Sequence, residues 1–212
     1  MKLYQSVGPN PRVVTMYIAE KGISVDRVFL DIQAGENRQP SYLAINPHGG
    51  TPSLELDDGS HLSESLAICE YLEETQSGPS LIGTTPAERA ATRAMTRWID
   101  QMVVVPMGSG FRSAEGLPMF KDRLLCVPEA ADGNKAYARD GLTQTDGELG
   151  DKEWLMGSRF TIADILLFCF VEFGGMVGQP IPEGLSKLKA WTARVAARPS
   201  AAVSGDPQNG VA

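Results

Sequence analysis

Three short stretches in the first third of the chain combine residue types suited to holding a small charged molecule. Ser63-Glu64-Ser65 precedes an apolar run through Ile68, Cys69 and Leu72, so it reads as a helix start. The first N–H groups of a helix lack intrahelical acceptors and favour an anion. Ser65 adds a hydroxyl there, and the Glu64 carboxylate beside it favours an ammonium. Together they suit the zwitterionic head of an amino acid; the competing reading is plain capping by Ser63.

The second stretch, Thr51-Pro52, leads into a strand over Ser53 to Leu56. Proline removes a ladder donor, which leaves Thr51 backbone groups open to an extended, peptide-like ligand, or simply in a turn. In the third, Asn10-Pro11 signals a helix with Asn10 as N-cap and proline at the first helical position. Ser6, Gly8 and Pro9 lead into it. A thiol at such a helix start has its pKa lowered. The competing roles are structural capping for Asn10 and a solvated loop hydroxyl for Ser6.

The elements that position these groups follow from local pattern. Residues 2–5 read as a strand, and the helix after Asn10 runs to Gly22. The alternation of Val28, Leu30 and Ile32 gives a second strand. A short helix near 41–45 ends at Asn46-Pro47, and the Asp57-Asp58-Gly59 turn joins two further strands. The order is βαβ, a short helix, then ββα: a small mixed sheet with helices on both faces. Residues 75–85, rich in Gly, Pro, Ser and Thr, read as a linker.

Beyond it the pattern is helical. Thr85-Pro86-Ala87-Glu88 and Thr161-Ile162-Ala163-Asp164 are capping boxes, and Phe160 and Ile165 suit a hydrophobic staple at the second. That assigns Asp164 a structural role. Pro106 should kink or end its helix, and Pro128 should kink a long segment from about 119 to 146. The last helix spans about 185 to 197, and the tail from Ser204 to Ala212 reads as frayed.

The 212 residues carry a net charge of -7 and no basic cluster, a poor match for nucleic acid or anionic membrane. The apolar run Ile165 to Val171 is too short to cross a bilayer, and the N-terminus lacks a signal-peptide plan. Cys69, Cys126 and Cys169 form no C-x-x-C and sit in apolar stretches, as reduced core residues of a cytoplasmic protein do. With only His48 and His61, and no Cys/His cluster, no metal site is expected.

In order and spacing, Gly35-Glu36-Asn37, Asn46-Pro47, Thr51-Pro52, Leu54 to Gly59, Glu64-Ser65, Ile68 to Leu72 and Phe160 to Ile165 resemble the cytosolic glutathione transferases over nearly the whole chain. The N-terminal half is most similar to a bacterial and fungal group of that family. The resemblance implies a thioredoxin-like, glutathione-binding domain over 1–76 and an all-helical domain over 86–212, an α/β plus all-α chain that usually forms a homodimer. It implies that Pro52 is cis, that Thr51 pairs with the cysteinyl part of glutathione, and that Glu64 and Ser65 hold the γ-glutamyl head. It further implies that Asn37 stands where several classes place a residue near the glycine carboxylate, with Arg38 and His48 nearby to share that role.

The thiol-activating residue departs from the family's pattern: Gly8 stands where many classes carry Ser, Asn10 near where others carry Cys, and Tyr4 lies within the first strand. Lowering a thiol pKa from about 8.5 to roughly 6.5 takes about 2.7 kcal/mol. A helix start supplies about 0.3–1 kcal/mol, at best roughly 2, and one hydrogen bond to the thiolate adds about 1.5–3. One donor therefore suffices. The candidates are Asn10, favoured here, then Ser6 and Arg12, and from the helical half Ser109, Arg112 and Ser113. The activity implied is attack of the glutathione thiolate on a hydrophobic electrophile, with peroxide or disulfide reduction as a side chemistry. The Met102, Met107, Phe111, Met119 and Phe120 side chains are candidates for the electrophile pocket. Alternatives on the same fold are a glutathione-dependent isomerase, an ether-cleaving lyase, and a non-catalytic glutathione-binding or protein-interaction module.

Overall fold

A computed structural model describes residues 1–211, so Ala212 of the tail lies outside the described residues. The chain forms two compact units, Met1–Ser80 with Ala197–Ala212, and Leu81–Ala196.

In the first unit, β1 (Lys2–Gln5), α1 (Pro9–Lys21) and β2 (Asp26–Phe29) form the βαβ motif. A 3₁₀ turn (Glu36–Arg38) and α2 (Pro40–Leu43) lead to β3 (Ser53–Glu55), β4 (His61–Ser63) and α3 (Ser65–Thr75). The sheet order is β2-β1-β3-β4, with β1 parallel to β2 and antiparallel to β3. This is the thioredoxin-like arrangement the resemblance implies. Leu3 faces Leu54, and Leu54 faces Leu62, across the register. Leu3, Leu54, Val13, Val14, Ile68 and Leu72 are buried, so the apolar faces of α1 and α3 close one core.

A polar network is enclosed with it. The Tyr17 hydroxyl donates to Glu73 at 2.5 Å and Lys21 Nζ donates to the same oxygen at 2.9 Å. Ser80 donates to the other oxygen at 2.7 Å. Burial pushes the Glu73 carboxyl up, but the Tyr17, Ser80 and Lys21 donors outweigh it and hold the group below its ordinary range.

The tail differs from expectation. An unexpected helix, α10 (Pro199–Gly205), leads into it, and within the tail expected to fray Asn209 O accepts from Arg27 Nη1 and Val211 makes a parallel bridge with Arg27. Residues from Ala197 onward thus belong to the first unit. The cause is long-range: Glu20 of α1 accepts both arms of Arg198 at 2.7 Å and a hydrogen bond from Ser200.

The second unit contains α4 (Pro86–Ile99), a π-helical turn (Asp100–Val104), α5 (Val105–Arg112), α6 (Leu117–Phe120), α7 (Ala131–Leu149), α8 (Ile162–Met176) and α9 (Ser186–Ala196). Pro106 neither ends the first helix nor leaves it regular. Its missing N–H deprives the Met102 carbonyl of its usual donor, and the wide turn falls at this place. Gly141 of α7 lies against that carbonyl, where a Cβ would collide. The segment expected to run from 119 to 146 is interrupted rather than kinked: residues 121–127 form a loop in which Leu125 is 93% exposed. Cys126 lies in this loop, half-buried, whereas Cys69 and Cys169 are core residues.

α8 carries the core of this unit, with Ile162 through Val171 all buried. The Asp164 carboxylate, fully buried, accepts from Leu155 N at 2.9 Å, Thr161 N at 2.9 Å, Thr161 Oγ1 at 3.2 Å and Trp191 Nε1 at 2.9 Å. No helix is long and apolar enough to cross a membrane among the described residues.

Candidate functional site

The start of α3 is unusual. Ser63 ends β4, so it does not cap the helix. Glu64 occupies the cap position at φ 72 and ψ 119, with no side-chain capping bond. Among the described residues it is the one non-glycine residue with positive φ. Such a conformation costs on the order of 1–3 kcal/mol and persists where the surroundings enforce it. It leaves the first N–H groups of α3 without a side-chain acceptor from the protein. The Glu64 carboxylate is exposed beside them, and Ser65 is 7% exposed.

Ser65 reaches across to α1, where its hydroxyl donates to Asn10 Oδ1 at 3.4 Å. The structure thus brings together Glu64, Ser65 and Asn10. Asn10 is not the cap of α1, however. Gly8, at φ 120 and ψ 168, takes that position, a conformation open to glycine. Pro9 then supplies the first helical φ, and Arg12 N bonds Gly8 O at 3.4 Å. Either proline could open a helix; Gly8-Pro9 prevails because glycine alone of the candidates accepts the turn before it. Pro9 and Pro11 have no N–H. Donor capacity in this first turn therefore concentrates on Asn10, whose backbone N–H and carboxamide are not used in capping.

The other two thiol-activating candidates in this unit are committed elsewhere. The Ser6 hydroxyl donates to Leu30 O at 2.6 Å and the residue is 2% exposed. Arg12 points to the tail, donating to Ser204 Oγ at 3.4 Å and Ala201 O at 3.3 Å. Tyr4 donates to Glu55 at 2.7 Å, and burial together with that carboxylate pushes its pKa up to about 12.

Asn37, Arg38 and His48 do come together, through backbone contacts. Asn37 Nδ2 donates to Gly49 O at 2.6 Å and Arg38 Nη1 to His48 O at 3.2 Å. Asn37 Oδ1 and Arg38 Nε are buried without a hydrogen-bond partner, while the His48 side chain is exposed. Two positioning residues escaped the sequence reading. The Tyr42 hydroxyl and Asn46 Nδ2 both donate to Gly50 O, at 2.6 and 2.9 Å. They fix the segment entering Thr51-Pro52, whose peptide bond is cis. Asn46-Pro47 marked the helix end in the sequence, but nothing local signals that its amide clamps a carbonyl four residues on.

In the helical unit, Ser113 accepts from Val127 N at 3.2 Å and is buried. Phe111 packs edge-on against Phe120 and Phe173, with ring centroids 6.0 and 5.1 Å apart. Arg112 lies 6.0 Å over the Phe120 ring. Met107 is buried in the core, while Met102 and Met119 are half-buried. Among the described residues no group of three or more His, Cys, Asp and Glu side chains is placed to hold a metal.

Residues 7–75 match the family described as glutathione S-transferase, N-terminal domain, and residues 128–199 match glutathione S-transferase, C-terminal domain. The chain is 31% identical over 195 residues to glutathione S-transferase 2 of Saccharomyces cerevisiae, covering 91% of this chain and 84% of that one. The solved structure of Gtt2 from Saccharomyces cerevisiae aligns with a TM-score of 0.89 at 31% identity, over 96% of this chain and 100% of that one. A glutathione S-transferase domain-containing protein of Marinobacter aquaeolei aligns with a TM-score of 0.88 at 36% identity, over 94% and 99%.

Proposed function

The chain belongs to the glutathione S-transferase family, and from that premise we propose that it is a glutathione transferase that ionises bound glutathione for attack on a hydrophobic electrophile. The observation that carries this reading is the start of α3, held open at Glu64 with Ser65 and Asn10 alongside. The γ-glutamyl carboxylate takes the Ser65 hydroxyl and the free N–H groups of α3, and Glu64 takes the ammonium. Thr51 pairs through its backbone with the cysteinyl part. His48 and the Asn37–Arg38 turn border the glycine end.

Asn10 is the thiolate donor in this reading, because the hydroxyl of Ser6 and the guanidinium of Arg12 already serve other acceptors. The helix start supplies the rest of the shift. The electrophile is apolar and aromatic-compatible, in keeping with the half-buried Phe111, Phe120 and Met119. The protein works as a cytoplasmic homodimer.

Retention on immobilised glutathione together with conjugation of a chlorodinitrobenzene-type substrate is the expected result. Retention without turnover of any electrophile or peroxide overturns the transferase reading in favour of a binding module. No retention overturns both.

A further inference from the structure

The C-terminal segment runs antiparallel along α1 and grips it at both ends. At the far end, Glu20 holds Arg198 and Ser200. At the near end, Arg12 donates to Ala201 O and Ser204 Oγ at 3.3 and 3.4 Å. The segment continues past the helix. Gln5 Nε2 donates to Pro207 O at 2.6 Å, and Arg27 Nη1 to Asn209 O at 2.8 Å. The bridge between Val211 and Arg27 then lays the tail along the free edge of β2. All these contacts lie within the first unit.

Arg12 is two residues beyond Asn10, in the same first turn of α1. The first N–H groups of a helix have no intrahelical acceptor, and the bond from Arg12 N to Gly8 O is long at 3.4 Å. Pro11 and Val13 anchor this stretch by burial. The side chain of Arg12 adds a polar tie from the turn to Ala201 and Ser204 of the C-terminal segment. Hydrogen bonds weaken steeply with distance and angle, and the field of a helix start falls off within one turn. A small displacement of this turn changes what Asn10 delivers to a sulfur, while the start of α3 is joined to it only by the long 3.4 Å bond from Ser65 to Asn10.

We propose that Arg12 is a positioning residue, through which Ala201 and Ser204 of the C-terminal segment set the first turn of α1 and thereby the ionisation of bound glutathione. This rests on the glutathione reading above. The two functions then separate: the grip on the peptide resides at α3, and the thiol pKa responds to the local contact of Arg12 with α10.

The test uses the full chain with two probes, glutathione and S-methylglutathione, whose thioether cannot ionise. Thiolate absorbance of bound glutathione against pH gives the thiol pKa, and calorimetry with S-methylglutathione gives the grip. For Arg12→Ala the expected result is a thiol pKa raised by about one unit, with the S-methylglutathione Kd within about twofold of wild type. Ser204→Ala, which keeps Arg12, should shift the pKa in the same direction by about a third as much. It also serves should Arg12→Ala fail to fold. Glu20→Gln loosens the other end of the segment and should lower thermal stability with the thiol pKa unchanged. The inference is overturned if Ser204→Ala and Arg12→Ala leave the pKa unchanged, if Glu20→Gln shifts it equally, or if S-methylglutathione affinity falls in parallel. Wild-type protein that binds neither peptide overturns the glutathione reading itself, and this inference with it.

Discussion

Two helix starts, α3 and α8, look alike as sequence and differ in structure. Each follows a hydroxyl residue and carries an acid, Glu64 at one and Asp164 at the other. At α8 the acid is fully buried and gathers four donors from Leu155, Thr161 and Trp191. That start is closed, and its polar groups are consumed by the fold. At α3 the acid is exposed, takes a positive φ, and caps nothing. The fold tolerates that strain without a side-chain cap at the helix start. One motif closes its helix start; the other leaves its acid exposed.

Asp164→Ala should give the largest effect. It strands buried donors of Leu155, Thr161 and Trp191, at a cost of about 3–5 kcal/mol of stability, seen as a lower denaturant midpoint. If stability holds, the α8 start is not closed in the sense argued. Next in size is Asn10→Ala, which should raise the thiol pKa of bound glutathione by about 1–2 units, the equivalent of roughly 1.5–3 kcal/mol, by thiolate absorbance. An unchanged pKa in a folded variant removes Asn10 from the chemistry.

Glu64→Gly sharpens the comparison, because glycine accepts the backbone conformation that glutamate strains to adopt. Its melting temperature should stay level or rise, by up to roughly 1 kcal/mol in stability, while glutathione affinity falls. A loss of stability would place Glu64 among the folding groups.

Acid should separate the two units by the smallest margin. Burial raises the carboxyls of Glu20 and Glu73, but Arg198 and Ser200 for the first, and Tyr17, Ser80 and Lys21 for the second, hold both below their ordinary range. A depressed folded pKa gives stability present above the unfolded value, near 4.5, and lost as pH falls through the folded one. Asp164 shifts the other way, because burial outweighs its donors. Hydrogen exchange at about pH 3.5, a unit below the ordinary Glu value, should therefore show amide protection falling first in α1 and α10. Earlier loss in α8 would contradict it.

How legible this was varied with the range of the interactions. The capping boxes at Thr85 and Thr161 are four-residue patterns, so they could be read directly and hold in the structure. The cis bond at Pro52 came through resemblance, since one X-Pro pair carries no such information. The cap of α1 was displaced because two prolines in three residues offer two possible starts, and the choice turns on the φ of Gly8. α10 was missed because its ties run from Arg198 to Glu20 and from Arg12 to Ala201, nearly the length of the chain apart. The strain at Glu64 has no local signature either; it shows only once β4 ends at Ser63 and α3 begins two residues later.

The claim that the start of α3 is reserved for a ligand is tested most directly on Ser65→Ala, by measuring glutathione affinity and unfolding free energy in the same preparation. The account predicts a Kd raised about 10- to 100-fold, as expected for losing a hydrogen bond to a charged group, with unfolding free energy within about 0.5 kcal/mol of wild type. A loss of several kcal/mol in stability with affinity unchanged would contradict it, and would make α3 a second closed helix start like α8.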